Sequence, residues 1–200
     1  KELKSPTNLA WDWSVGVYTL GIWKDVRLQV SGPAQLDWLG VSSTLRDHFT
    51  KADVRVRLDL DSQAELPVRI ALQASCGRSC TNAVVSAKLK LGLNHLETAF
   101  TIDHPALWWP AGQGSHPLYD LVVEVRRADT GALLDRQTTR FGIREIRWEQ
   151  PPGAPADFPN PLAMFVNGRP VRAMGSNLLP PDSLFGRMDK RGPRLMELAA

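Results

Sequence analysis

Cysteine is scarce in this chain: Cys76 and Cys80 are the 2 among 200 residues. That scarcity excludes a disulfide-stapled scaffold, and a Cys-x3-Cys pair supplies at most half of a four-ligand structural zinc site. The 4 histidines, His48, His95, His104 and His116, show no paired metal spacing to complete it, so no metal is expected. The two thiols stand equally for a local disulfide or for free cysteines, which leaves cytoplasm, periplasm and secretion open. No apolar run approaches the roughly 18 residues that a membrane span needs. Lys1-Glu2-Leu3-Lys4 offers no apolar signal core. Charge of one sign is lacking too: 24 Lys+Arg against 21 Asp+Glu leave +3, too little to draw nucleic acid or a membrane surface. Gly-x-Ser-x-Gly, phosphate-cradling Gly-x-x-x-x-Gly-Lys and His-Glu-x-x-His are all missing, which removes the common hydrolase, nucleotide and zinc-protease signatures. The chain starts without methionine and closes on the apolar run Met196-Glu197-Leu198-Ala199-Ala200, so both ends are expected to be cuts in a longer polypeptide.

What is present is tryptophan, 7 residues against 2 tyrosines, and proline, 15 residues of which nine follow residue 150. Between residues 34 and 147 short apolar/polar alternations of period two recur. They run over Leu36 to Leu45, Val54 to Leu60, Val68 to Leu72, Val85 to Leu91, Leu96 to Ile102, Leu118 to Val125 and Leu133 to Ile143. Ala128-Asp129-Thr130-Gly131 supplies a hairpin turn. Seven short strands without a helical period predict an all-β fold, an immunoglobulin-like antiparallel β-sandwich. Upstream, Lys1 to Ser14 reads as a loop, and Trp23 to Val30 alternates as a further half-buried strand. Downstream, five prolines from Pro151 to Pro161 predict an extended connection. Asn167-Gly168 centres a second hairpin, and a helix is expected from Met188-Asp189, with Asp189 as its N-cap and an apolar face of Leu195, Met196, Leu198 and Ala199.

Two clusters of indoles bear on chemistry. In Trp11-Asp12-Trp13 an acid is flanked by two indoles in a loop. Indole faces stack on the C–H face of a pyranose while a carboxylate accepts hydrogen bonds from adjacent hydroxyls; the same residues also suit a capped loop with two core tryptophans. Leu107-Trp108-Trp109-Pro110 admits the sugar reading as well, but a Trp-Trp-Pro wedge between strands fits an interior corner better. Isolated carboxylates such as Asp103 and Glu145 read as solvated faces or turn caps.

Taken in order, four stretches resemble glycoside hydrolase family two, in its β-mannosidase and exo-β-glucosaminidase branch. Trp11-Asp12-Trp13 with Gly21-Ile22-Trp23-Lys24-Asp25-Val26 is similar to the end of that family's N-terminal jelly-roll domain. Leu107-Trp108-Trp109-Pro110-Ala111-Gly112-Gln113-Gly114 with Pro117-Leu118-Tyr119 resembles the signature of its immunoglobulin-like second domain. Arg140-Phe141-Gly142-Ile143-Arg144 is similar to that domain's exit strand. Phe165-Val166-Asn167-Gly168-Arg169-Pro170-Val171, then Gly175-Ser176-Asn177 and Pro181-Asp182-Ser183, resembles the beginning of its (β/α)8 TIM barrel.

The resemblance implies a division into residues 1–30, the end of a sugar-binding jelly-roll domain; 31–147, the sandwich; and 148–200, a Pro-rich linker with the first strand and helix of the barrel. It implies a retaining exo-acting glycosidase, β-mannosidase-like, that removes terminal β-linked sugars with two glutamates and no cofactor. In the family both glutamates follow later barrel strands, so no catalytic residue is expected within these 200 residues, and the chain by itself is expected to be inactive. Trp11 and Asp12 match the loop that lines the terminal-sugar pocket, and Asn177 and Asp182 match the segment after the first barrel strand. The implied partners are the carbohydrate substrate and the neighbouring jelly-roll and barrel domains. Two departures, Ser14-Val15 after the Trp-Asp-Trp and Leu178 where the family has a barrel-mouth tryptophan, leave glucosaminides open beside mannosides. The reading of a different class is a stand-alone, non-catalytic β-sandwich that binds carbohydrate or spaces its neighbours.

Overall fold

Period-two patterning becomes structure when alternate side chains find a common apolar layer. A computed structural model describes residues 21–22, 25–151, 153–155, 157, 163–173, 175 and 185–199. Seven strands appear where the alternation predicts them: β1 (Ala34–Arg46), β2 (Lys51–Ser62), β3 (Leu66–Cys76), β4 (Ser79–Leu89), β5 (Gly92–Asp103), β6 (Tyr119–Arg127) and β7 (Leu133–Phe141). They form two antiparallel sheets, in the orders β1-β2-β5 and β4-β3-β6-β7. Val54, Val56, Leu58 and Leu60 of β2, Val68, Ile70 and Leu72 of β3, and Leu121, Val123 and Val125 of β6 are buried in one shared core. Burying each such side chain contributes about 1.5–3 kcal/mol, and the pleat places all of a strand's set on one face. The result is the all-β, immunoglobulin-like sandwich. One side is tied by side chains: Asp135 Oδ2 accepts from the Leu36 N–H at 2.7 Å, and the Gln137 amide donates to the Leu36 carbonyl.

A third, small sheet follows, β8 (Ile146–Glu149), β9 (Ala163–Val166) and β10 (Arg169–Val171), in the order β10-β9-β8. The hairpin is where Asn167-Gly168 predicts it, with φ of 48° and 74° at its two central residues, as a type I′ turn requires. β8 was not expected. Four residues are too few for alternation to register, and this strand exists because β9 pairs with it.

Two expectations need correction. Trp23 and Lys24 lie outside the described residues, but Asp25 to Val30 is not a strand. Val26, Leu28 and Val30 are 80, 92 and 86% exposed. Alternation yields a strand only when a neighbouring strand takes its N–H and C=O groups in a ladder, and among the described residues no ladder includes this segment. The helix α1 spans Phe185–Ala199, so Asp189 lies inside it and is not the N-cap. It runs through Pro193, whose missing N–H removes one intrahelical bond without ending it. Among the described residues no helix is long and apolar enough to cross a membrane. Two compact units result, Val30–Ala173, and Lys1–Gln29 with Met174–Ala200.

The structure also resolves the cysteine question. Cys76 faces Ser79 and Cys80 faces Ser75 across the β3–β4 hairpin, so the two occupy opposite faces of the sheet. A disulfide needs Cβ atoms directed at each other; both thiols are free.

Candidate functional site

Trp11, Asp12, Asn177 and Asp182, the substrate-binding residues expected from the sequence, lie outside the described residues. The indole cluster that the structure does place is Trp108-Trp109, at one end of the sandwich. The Trp108 N–H donates to the Ile143 carbonyl at 2.9 Å, and the Trp109 N–H to the Ser115 carbonyl at 3.0 Å. Each ring lies close over a glycine. A Cβ at Gly142 would come within 3.2 Å of Trp108, and one at Gly114 within 2.8 Å of Trp109. Each indole also carries a guanidinium, Arg144 at 4.5 Å from the Trp108 centroid and Arg169 at 4.3 Å from that of Trp109. His116 meets Trp108 edge-on at 5.7 Å. Half-buried indoles with an arginine already stacked on them form an interior corner, the reading the Trp-Trp-Pro wedge favoured.

Asn167 clasps this corner to the β9–β10 hairpin. It is 4% exposed. Its N–H donates to the Glu145 carbonyl at 3.0 Å, its Oδ1 accepts from the Glu145 N–H at 2.9 Å, and its Nδ2 donates to the Trp108 carbonyl at 3.0 Å. The turn Asn167-Gly168 then meets Phe49, whose ring lies 3.4 Å from where a Cβ at Gly168 would stand. Phe49 reaches it from a turn in which Asp47, His48 and Phe49 all have left-handed φ, 52°, 53° and 69°. Such non-glycine conformations cost on the order of 1–3 kcal/mol each and persist only where their surroundings impose them. The alternation pattern gave no sign of this clasp. The Asn-Gly pair marked the turn, but a buried side-chain amide leaves no periodic signal.

Tyr119 closes the same end from below. Its ring stacks on Phe141 at 5.4 Å, and its buried hydroxyl accepts from the Ala106 N–H at 2.8 Å. Burial raises its pKa, opposed by that backbone hydrogen bond.

The carboxylates of the described residues are exposed or half-buried. A glycosidic general acid needs a burial-raised carboxyl, and no aspartate or glutamate among the described residues is buried. Asp53, Glu65 and Asp129 are instead held below the usual carboxylate range, chiefly by hydrogen bonds from Thr101, Lys88 and Arg127 respectively.

Residues 34–144, more than half of the chain and spanning both sheets and the tryptophan corner, match the model of glycosyl hydrolases family 2. The chain belongs to that family. Among its relatives, β-mannosidase B of Emericella nidulans is 27% identical over 187 residues, covering 91% of this chain and 21% of that protein. The crystal structure of β-D-mannosidase from Dictyoglomus thermophilum matches 98% of this chain and 23% of its own, at 28% identity and a TM-score of 0.82. β-Glucuronidase 2 of Bacteroides uniformis shares the fold, with a TM-score of 0.66 at 18% identity over 84% of this chain and 20% of its own. This family 2 chain therefore spans about a fifth of the length of the curated relatives it matches.

Proposed function

We propose that this chain is part of a retaining, exo-acting β-glycosidase of the β-mannosidase type, which removes terminal β-linked sugars from glycans. The observation that carries this reading is the likeness to the Dictyoglomus β-D-mannosidase, which at 28% identity extends over 98% of the chain. In this reading residues 1–30 end a sugar-binding domain, 31–147 are the sandwich that spaces and orients its neighbours, and 148–200 lead into the catalytic barrel. Asp12 accepts hydrogen bonds from hydroxyls of the terminal sugar and Trp11 walls its pocket, while Asn177 and Asp182 approach the same pocket from the barrel side. In this reading the acid/base and nucleophilic glutamates lie elsewhere in the protein. Residues 1–200 by themselves then release no sugar.

The test is hydrolysis of aryl β-mannoside, β-glucosaminide and β-glucuronide by the full-length protein. The mannoside is expected to give the highest kcat/KM. A preference for either of the other two would overturn the mannosidase reading while leaving family membership intact.

A further inference from the structure

We propose that the outer face of the β1-β2-β5 sheet is a second carbohydrate-binding surface, built around Trp38 and suited to a neutral, extended β-linked oligosaccharide. Three features converge on this one side chain. Alternation alone would put Trp38 on the same inner face as Leu36. Instead Leu36 pairs with Leu60 and Trp38 with Asp59, so Asp37 is an extra residue in a β-bulge that turns Trp38 outward. The bulge is braced from the other sheet, because Asp135 and Gln137 of β7 take the Leu36 N–H and carbonyl. Gly40, next along the same outer row, then gives the indole a seat: a Cβ there would fall within the Trp38 ring. A bulge interrupts the ladder and a mid-strand glycine weakens it. Both are spent on holding one large indole flat on the sheet with 49% of its surface open. Trp148 is also exposed, but no glycine seat lies beneath it.

The surroundings select the ligand. Across the rows beside Trp38 stand Asp59, hydrogen-bonded to the His95 ring at 2.6 Å, and Glu97 between Arg55 and Arg57, at 3.2 and 3.8 Å. Acidic and basic groups mixed along the rows leave no block of one sign to draw a polyanion or a polycation. They do offer donors and acceptors side by side, which a hydroxyl-rich neutral chain can use, while the open indole face takes the C–H face of one sugar ring. Further along the face, Ser42, Asp53, Arg55 and Thr101 line a shallow open depression of about 590 Å³. From Trp38 the sheet runs about 13 Å to the near edge of this depression at Ser42 and about 20 Å to its far edge at Asp53, room for several sugar units laid along the strands. This surface is independent of the terminal-sugar pocket proposed above.

The test is native electrophoresis of the full-length protein in gels with and without soluble β-1,4-glucomannan, with the fold of each variant checked by thermal melting. The expected result is retardation of the unsubstituted protein, at least a tenfold weaker apparent affinity for Trp38→Ala, and retention within threefold for Trp38→Tyr, with melting temperatures unchanged. Equal retardation of Trp38→Ala, or no retardation of the unsubstituted protein, overturns the proposal. So does a drop in the melting temperature of both Trp38→Ala and Trp38→Tyr, because the ring is then packed against another part of the protein. None of these readouts depends on hydrolysis, so they stand apart from the mannosidase test.

Discussion

Asn167 shows how much one buried amide can hold. All of its polar groups are spent on Glu145 and Trp108, and its backbone sits at φ 48°, which asparagine tolerates better than most residues. Asn167→Ala leaves the Glu145 N–H and the Trp108 carbonyl without their side-chain partners in a closed corner. Urea denaturation should show a loss of about 2–4 kcal/mol. Asn167→Asp keeps the acceptor for the Glu145 N–H but sets a buried carboxylate oxygen against the Trp108 carbonyl, so at neutral pH its loss should be at least as large as that of Asn167→Ala. A smaller loss for Asn167→Asp would mean that the bond to Trp108 carries little. Tyr119 gives a pH signature at the same scale. Its folded pKa is raised by burial, so the folded state holds its proton more tightly than the unfolded chain does. That contribution is fully present below the unfolded value near 10 and is lost as pH rises through the folded value. Melting temperature should therefore fall above about pH 10, and Tyr119→Phe should shallow that fall. An identical alkaline slope in both proteins would assign it to other groups.

At the scale of elements, the glycines under the tryptophans mark where strands and loops approach most closely. A side chain at Gly114 would meet the Trp109 ring at 2.8 Å. Gly114→Ala should displace that ring from Arg169 and destabilise the protein by about 1–3 kcal/mol. Gly77→Ala meets nothing within 4 Å but sits at φ 57°, so its cost, about 1–2 kcal/mol, comes from the backbone alone. Thermal melting of the two variants separates overpacking from backbone strain. All seven sandwich strands were legible in the sequence because each buries a period-two set in one core. The segment at 25–30 has the same alternation and forms no strand, since a pattern that joins no ladder is not enough. The bulge at Asp37 was invisible for the opposite reason: Leu36-Asp37-Trp38 alternates perfectly and hides a residue that breaks the register. β8 was too short to show a period. Of the candidate site, the hairpin turn and the tryptophan corner could be read from local chemistry. The clasp of Asn167 could not, because it joins residues 59 apart in sequence.

At the scale of the whole molecule, the sandwich is built on one shared core, with its specialised contacts outside that core. One end gathers the Trp108-Trp109 corner, the left-handed turn at Asp47 to Phe49 and the β9–β10 hairpin. The described carboxylates are exposed or half-buried, and Asp53, Glu65 and Asp129 are held low by hydroxyl and cationic partners. In the proposed function chemistry on sugars depends on residues outside the sandwich, and of Trp11, Asp12, Asn177 and Asp182 it is Asp12 that accepts hydrogen bonds from the sugar hydroxyls. A hydrogen bond from a sugar hydroxyl to a charged acceptor is worth about 1.5–3 kcal/mol. The most direct measurement is kcat/KM of the full-length protein on an aryl β-mannoside, with and without Asp12→Ala. The account predicts turnover of the mannoside and a loss of about tenfold or more in the variant. No turnover of the mannoside, or a variant within a few-fold of the unsubstituted protein, would contradict it.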